Sequence, residues 1–248
     1  LAGCTYVEPY AGGVGAGLSL LVTGQVERVV INDLDPAIHA FWTTVQSEPG
    51  WLIERIHKTK LDVTEWRRQR EIYVAADTSD LSQLGFATFY LNRTNRSGVL
   101  NGGPIGGLDQ TGNYKIDARF NRDGLAERIR ILSLYADNIV PTSRDGIEVI
   151  SEYAPKDDVF IYADPPFFTN RQFHARVGRG EDSRKPSKWK LAEGYHDSWD
   201  DMDAYLGFLY ERLHLMYRLL APNGTLYLHL DWHADAHARL ILDEIFGA

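Results

Sequence analysis

Five short apolar runs alternate with helix-like segments along this chain, and that alternation limits the fold more than any other feature. "CTYVEPY" (4–10), "RVVIND" (28–33), "NIVPTSRD" (138–145), "DVFIYADPP" (158–166) and "TLYLHLD" (225–231) read as strands. Helical patterning fills the intervals. It covers "GAGLSLLVTG" (15–24), the stretch after Pro36, residues 50–93 in about three pieces, 123–136, 200–220 and 233–246. Strands separated by helices pair in parallel, because a crossover helix is what returns the chain to the same edge of the sheet. The predicted class is therefore α/β, a doubly wound and mostly parallel sheet.

Residues 92–121 break the pattern. They are dense in Gly, Asn and Arg, carry "NG" and "GPIGG" turn signals, and show no helical period. With no repeat and no interdomain linker, residues 1–248 read as one domain with 92–121 as a small insertion, and 168–199 as a polar loop.

Composition narrows the function. The chain has 248 residues, 44% hydrophobic and 24% charged, which excludes disorder. No apolar run is long enough for a membrane span, so no membrane partner is expected. Cys4 is the single cysteine, which rules out disulfides and points to a reducing cytoplasm. The net charge of −8 does not advertise a polyanion partner. A local basic stretch, with Arg171, Arg176, Arg179, Arg184, Lys185, Lys188 and Lys190, keeps one open. The chain opens on Leu1 with a strand almost at once, as a trimmed or partial polypeptide would.

"EPYAGGVGAG" (8–17) joins a strand to a helix, and its glycines let backbone approach a ligand at the positive end of that helix. Asp33 closes the second strand twenty-one positions after Gly12, near the spacing at which an acidic residue holds a ribose beside such a loop. The competing reading makes Asp33 the cap of the helix near Pro36. Asp145 and Asp164 end two further strands, so three aspartates meet at the carboxyl edge of the sheet, where ligands bind. "DPPF" (164–167) offers a carboxylate, a proline carbonyl aimed outward and an aromatic face. Those groups suit a planar group bearing an amine. His233 and His237 would share a helix face, yet no metal site is expected.

Together "EPYAGG", "NDLDP", "YLNRTNRSG", "YKIDARFN" and "DPPF" resemble the Dam-type adenine-specific DNA methyltransferases, in that family's order, over about residues 5–170. "YLHLDWHADAHARLILDEIFG" (227–247) resembles another group of amino-methyltransferases. The resemblance implies a class I S-adenosylmethionine methyltransferase fold, Rossmann-like, with a target-recognition insertion and a sheet ending short of the family's last strand pair. It implies methyl transfer from S-adenosylmethionine to the N6 amine of a flipped adenine in double-stranded DNA. Asp164, Pro165 and Phe167 would be catalytic. Glu8, Tyr10, Gly12, Gly13, Gly15, Asp33, Asp145 and Asp164 would hold the cofactor. Asn92, Arg93, Asn95, Arg96, Arg119 and Arg171 would face DNA. Phe167 stands where the family usually has tyrosine, and the family's Gly-Gly-Lys segment is absent from this sequence. Methylation of RNA or of a cytosine amine, and a non-catalytic methyltransferase-like protein, are the alternatives.

Overall fold

The computed structural model describes residues 3–163, 175–177, 190–192, 201–220, 228, 230 and 233–247. Its elements follow in chain order: β1 (Thr5–Glu8), α1 (Gly15–Val22), β2 (Arg28–Asn32), α2 (Pro36–Ser47), α3 (Pro49–Lys58), α4 (Val63–Ala75) and α5 (Leu81–Thr94). Then come α6 (Arg122–Ser133), β3 (Ile139–Thr142), α7 (Gly146–Tyr153), β4 (Val159–Ile161), β5 (Ala175–Val177), β6 (Lys190–Ala192), α8 (Met202–Leu219) and α9 (Asp235–Phe246). The chain divides into two compact units. Leu1–Leu34, Thr142–Arg171 and His196–Ala248 make one; Asp35–Pro141 and Gln172–Tyr195 make the other.

The first unit holds β1, β2 and β4, and the strands of the sheet run in the order β3-β2-β1-β4. β1 is parallel to β2 on one side, with Val7 opposite Val30, and to β4 on the other, with Val7 opposite Ile161. Tyr6, Val7, Val29, Val30 and Ile31 are all buried, the continuous apolar run of strands covered on both faces. α1 lies directly on β1 because residue 17 has no side chain: a Cβ on Gly17 would sit 2.7 Å from Cε1 of Tyr6. α8 and α9 bury Tyr205, Leu209 and Leu213 against Ala234, Ala238 and Ile245. The strand expected at 225–231 falls mostly outside the described residues.

Helices build the second unit. Aspartates and an asparagine fix where several of them start. Asp35 accepts from Ala37 N at 2.8 Å, Asp62 from Glu65 N at 2.8 Å, Asp80 from Gln83 N at 3.0 Å and Asn121 from Gly124 N at 3.1 Å. α5 is buried at nearly every position from Leu84 to Leu91. Its rings join an aromatic cluster in which Phe120 meets Phe89 edge-on at 5.7 Å and Tyr90 at 5.9 Å. Within 92–121, Gln110 ties a loop shut, donating to Ile105 O at 2.8 Å and Gly107 O at 2.6 Å and accepting from Ile116 N at 2.9 Å. The segment is thus one part of a larger helical body.

Two elements differ from expectation. α7 was not anticipated, and the expected polar loop 168–199 contains an antiparallel pair, β5 and β6, with Arg176 opposite Leu191. Among the described residues no helix is long and apolar enough to cross a membrane.

Candidate active site

The site forms where β1, β2 and β3 end together in the first unit. Its organiser is Asn32, the fully buried last residue of β2. Its amide donates to Pro9 O and to Arg144 O, each at 2.9 Å. Its carbonyl accepts from the Thr142 hydroxyl at 2.8 Å and from Arg144 N at 3.0 Å. One side chain therefore joins the chain leaving β1 to the chain leaving β3. Asp33 N adds a bond to Thr142 O at 3.1 Å, and Ala11 N one to Asn32 O at 2.9 Å.

The glycine loop closes onto the next residue. Gly12 N donates to Oδ2 of Asp33 at 2.9 Å, so the twenty-one-residue spacing is realised as a direct contact. Gly12 has φ +49 and Val14, which precedes α1, has φ 47, both left-handed. A Cβ built on Gly12, Gly13 or Gly15 would meet nothing within 4 Å. The backbone is open to a ligand along that edge. The competing role for Asp33 goes elsewhere, since Asp35 is the cap of α2.

Asp145 starts α7, with Oδ1 accepting from Ile147 N at 2.8 Å, which leaves it exposed at the same edge. Tyr10 packs beside it: the space a Cβ on Gly146 would need is filled by the Tyr10 ring, 2.4 Å away at Cε1. Burial pushes the Tyr10 phenol up, opposed by Arg212, whose Nε donates to the phenol oxygen at 3.2 Å. Glu8, buried at the end of β1, faces the same edge; burial, then the Glu8 charge, push the Tyr6 phenol up.

β4 ends beside β1, with Tyr162 N donating to Val7 O at 2.9 Å. Asp164, Pro165, Phe167 and Arg171 lie outside the described residues. The structure therefore brings Glu8, Tyr10, Gly12, Gly13, Gly15, Asp33 and Asp145 to one edge. Sequence reasoning passed over Asn32 and Arg212 there.

The expected DNA-facing residues lie in the second unit. Arg93 is half-buried with its Nε unpartnered; burial, then the charges of Arg119 and Arg128, lower its affinity for a proton. Arg119 is exposed, its Nη1 3.4 Å from Asn95 O. Asn92 donates to Gly98 O at 3.1 Å, beside Ser97 with φ 53. Asn95 departs from expectation. It is fully buried, accepting from Trp66 Nε1 at 2.7 Å and donating to Val99 O at 2.8 Å and Leu100 O at 2.9 Å. Its side chain holds the loop that carries Arg96.

A parallel sheet with a glycine loop closed on a carboxylate at its carboxyl edge defines a nucleotide-type binding fold of the methyltransferase class. The family model for D12 class N6 adenine-specific DNA methyltransferases matches residues 2–197, and the chain belongs to that family. A DNA methylase model matches residues 159–248, overlapping the first. Among curated proteins, the Type II methyltransferase M.EcaI of Enterobacter cloacae is 30% identical over 114 residues, covering 46% of this chain and 21% of that protein. The Type III restriction-modification enzyme StyLTI Mod subunit of Salmonella typhimurium strain LT2 is 28% identical over 113 residues, 46% of this chain and 16% of the subunit. The Type II methyltransferase M.KpnI of Klebsiella pneumoniae is 26% identical over 130 residues, 52% of this chain and 28% of that protein. The chain thus spans well under a third of the length of these relatives.

Proposed function

We propose that this chain transfers a methyl group from S-adenosylmethionine to the N6 amine of adenine in double-stranded DNA. The observation that carries the reading is the glycine loop bonded to Asp33 through Gly12 N, with open backbone at Gly12, Gly13 and Gly15, in a chain of this family. The residues fit the cofactor. Carboxylates at Asp33 and Asp145 suit ribose hydroxyls and an adenine amine, and the N-terminus of α1 with Glu8 and Tyr10 suits the amino-acid end. Bound there, S-adenosylmethionine supplies an electrophilic sulfonium methyl for in-line displacement.

The chain's own groups do the rest. An adenine inside a duplex is out of reach, so the base must leave the stack and lie on Phe167. Asp164 and the Pro165 carbonyl accept the two amine hydrogens. Those bonds draw the nitrogen lone pair out of ring conjugation, so the nitrogen would take the methyl as the C–S bond breaks without prior loss of a proton. The surplus N6 proton would then leave through the Asp164 hydrogen bond. Aimed acceptors and orientation supply most of the rate. Arg93, Arg96 and Arg119, with Asn92, and Arg171 of the basic stretch, would meet phosphate or base edges.

The test uses S-adenosylmethionine labelled in the methyl group and duplex DNA. Labelled N6-methyladenine is expected, and Asp164→Ala should abolish it. Label in cytosine, label confined to RNA, or unchanged activity in Asp164→Ala would each overturn the reading.

A further inference from the structure

The geometry points to Arg212, in α8, as a positioning residue for the cofactor site, acting through the hydroxyl of Tyr10. The inference rests on the cofactor reading above and adds a residue outside its motifs.

Arg212 is held on its own helix by two contacts. Its guanidinium lies 3.3 Å over the Phe208 ring, and Nη1 donates to Phe208 O at 2.9 Å. Both would serve packing alone. The third contact does not: Nε reaches a residue 202 positions away, the Tyr10 hydroxyl, at 3.2 Å. Anchored twice, the planar guanidinium presents Nε in a fixed direction, which a flexible ammonium would not do as well.

Tyr10 is placed so that its ring orientation matters. Its backbone leads from β1 into Ala11 and Gly12, the start of the glycine loop. Its ring fills the space over Gly146, next to Asp145. The ring is thus the spacer between the loop and Asp145. Asn32 ties the backbones behind that spacer, and Arg212 fixes the spacer itself. Without the guanidinium, rotation about the Tyr10 side-chain bonds would let the ring leave Gly146, and the width between Gly12 and Asp145 would no longer be set.

Variants made in the full chain test this by calorimetry with S-adenosylmethionine. Arg212→Met keeps the stem and removes every N–H; Tyr10→Phe keeps the ring and removes the acceptor. Each should raise the Kd for S-adenosylmethionine about tenfold, the loss of one charge-assisted hydrogen bond. The KM for DNA should be unchanged, and kcat at saturating S-adenosylmethionine should stay within about twofold. The double variant should be no worse than either single one, because both remove the same contact. Arg212→Lys should recover only part of the affinity, since an ammonium lacks the anchored fork. Additive effects, an unchanged Kd, or a fall in melting temperature without a change in Kd would overturn the proposal. If Arg212→Met does not fold, Tyr10→Phe decides, since it removes only the acceptor oxygen and leaves the Arg212 stem and its contacts with Phe208 intact. Asp33→Ala is measured alongside. If it too leaves the Kd untouched, the cofactor reading fails; if it weakens binding while Arg212→Met and Tyr10→Phe do not, only the role of Arg212 fails.

Discussion

Asn32 holds four groups at once, and its amide is matched to all of them: two N–H bonds given, two accepted. No other side chain of that size has the same pair of donors and acceptor, so substitution must orphan buried backbone. Asn32→Asp keeps the shape but turns two donors into acceptors facing carbonyls, and places a carboxylate where nothing is exposed. A loss of about 3 kcal/mol in unfolding free energy is expected, read from urea melts, with weakened S-adenosylmethionine binding. Asn32→Ser should cost less than the aspartate, because it buries no charge. At this scale the carboxylates were legible in the sequence and their organiser was not. Asp33 announces itself by its distance from Gly12 along the chain. Three of the four bonds of Asn32 go to backbone groups 23 and 112 residues away, and backbone carries no residue-type signal. Asn95 lies in the Gly-, Asn- and Arg-rich segment that reads as DNA-facing, whereas its partners turn its side chain inward.

Among elements, α2 and α5 approach more closely than side chains normally permit. Gly85 allows it: a Cβ there would lie 2.5 Å from Thr44 Oγ1 and 2.6 Å from Ala40 O. The backbone atom cannot swing aside as a side-chain tip would. Gly85→Ala gains helix propensity but must push the two helices apart. It should destabilise by about 1–3 kcal/mol, measured by thermal melts, although alanine is the better helix former. Glycine inside a helix usually signals weakness, and here it marks the tightest seam of the bundle. The three helices between 49 and 94 were legible from their apolar spacing, which aspartate caps reinforce at α4 and α5. α7 was not. Ile147, Val149 and Ile150 favour a strand by propensity, and the Asp145 cap with burial of Val149 and Ile150 decides for helix. β5 and β6 were hidden by three-residue strands in charged surroundings, too short for any alternation to show.

Over the whole molecule, buried phenols set the alkaline limit. Burial, followed by neighbouring carboxylates, pushes Tyr6 and Tyr90 far above the ordinary tyrosine value, and burial also raises Tyr10 and Tyr73. Above pH about 10 the unfolded chain ionises its tyrosines while the folded one does not, so unfolding releases protons. The stability these groups provide is complete below pH 10 and drains away as pH rises. Each withheld proton adds a slope of about 1.4 kcal/mol per pH unit. Urea melts from pH 7 to 11.5 should stay level to about pH 9.5 and then fall, and Tyr6→Phe with Tyr90→Phe should make the fall shallower. An unchanged slope in that double variant would show that other groups govern it.

The bond from Asp33 N to Thr142 O, with the Asn32 contacts around it, clasps the ends of β2 and β3, the strands that flank residues 35–138. The intervening hundred-odd residues run between two strands clasped into one frame. Such a frame is indifferent to the length of what passes through it, since closing a longer loop adds only about 0.6 kcal/mol per doubling. The chain is thereby divisible into a fixed chassis and a replaceable cartridge. A different cartridge spliced between Leu34 and Ile139, so that β3 is kept, should leave the glycine loop and its aspartates undisturbed.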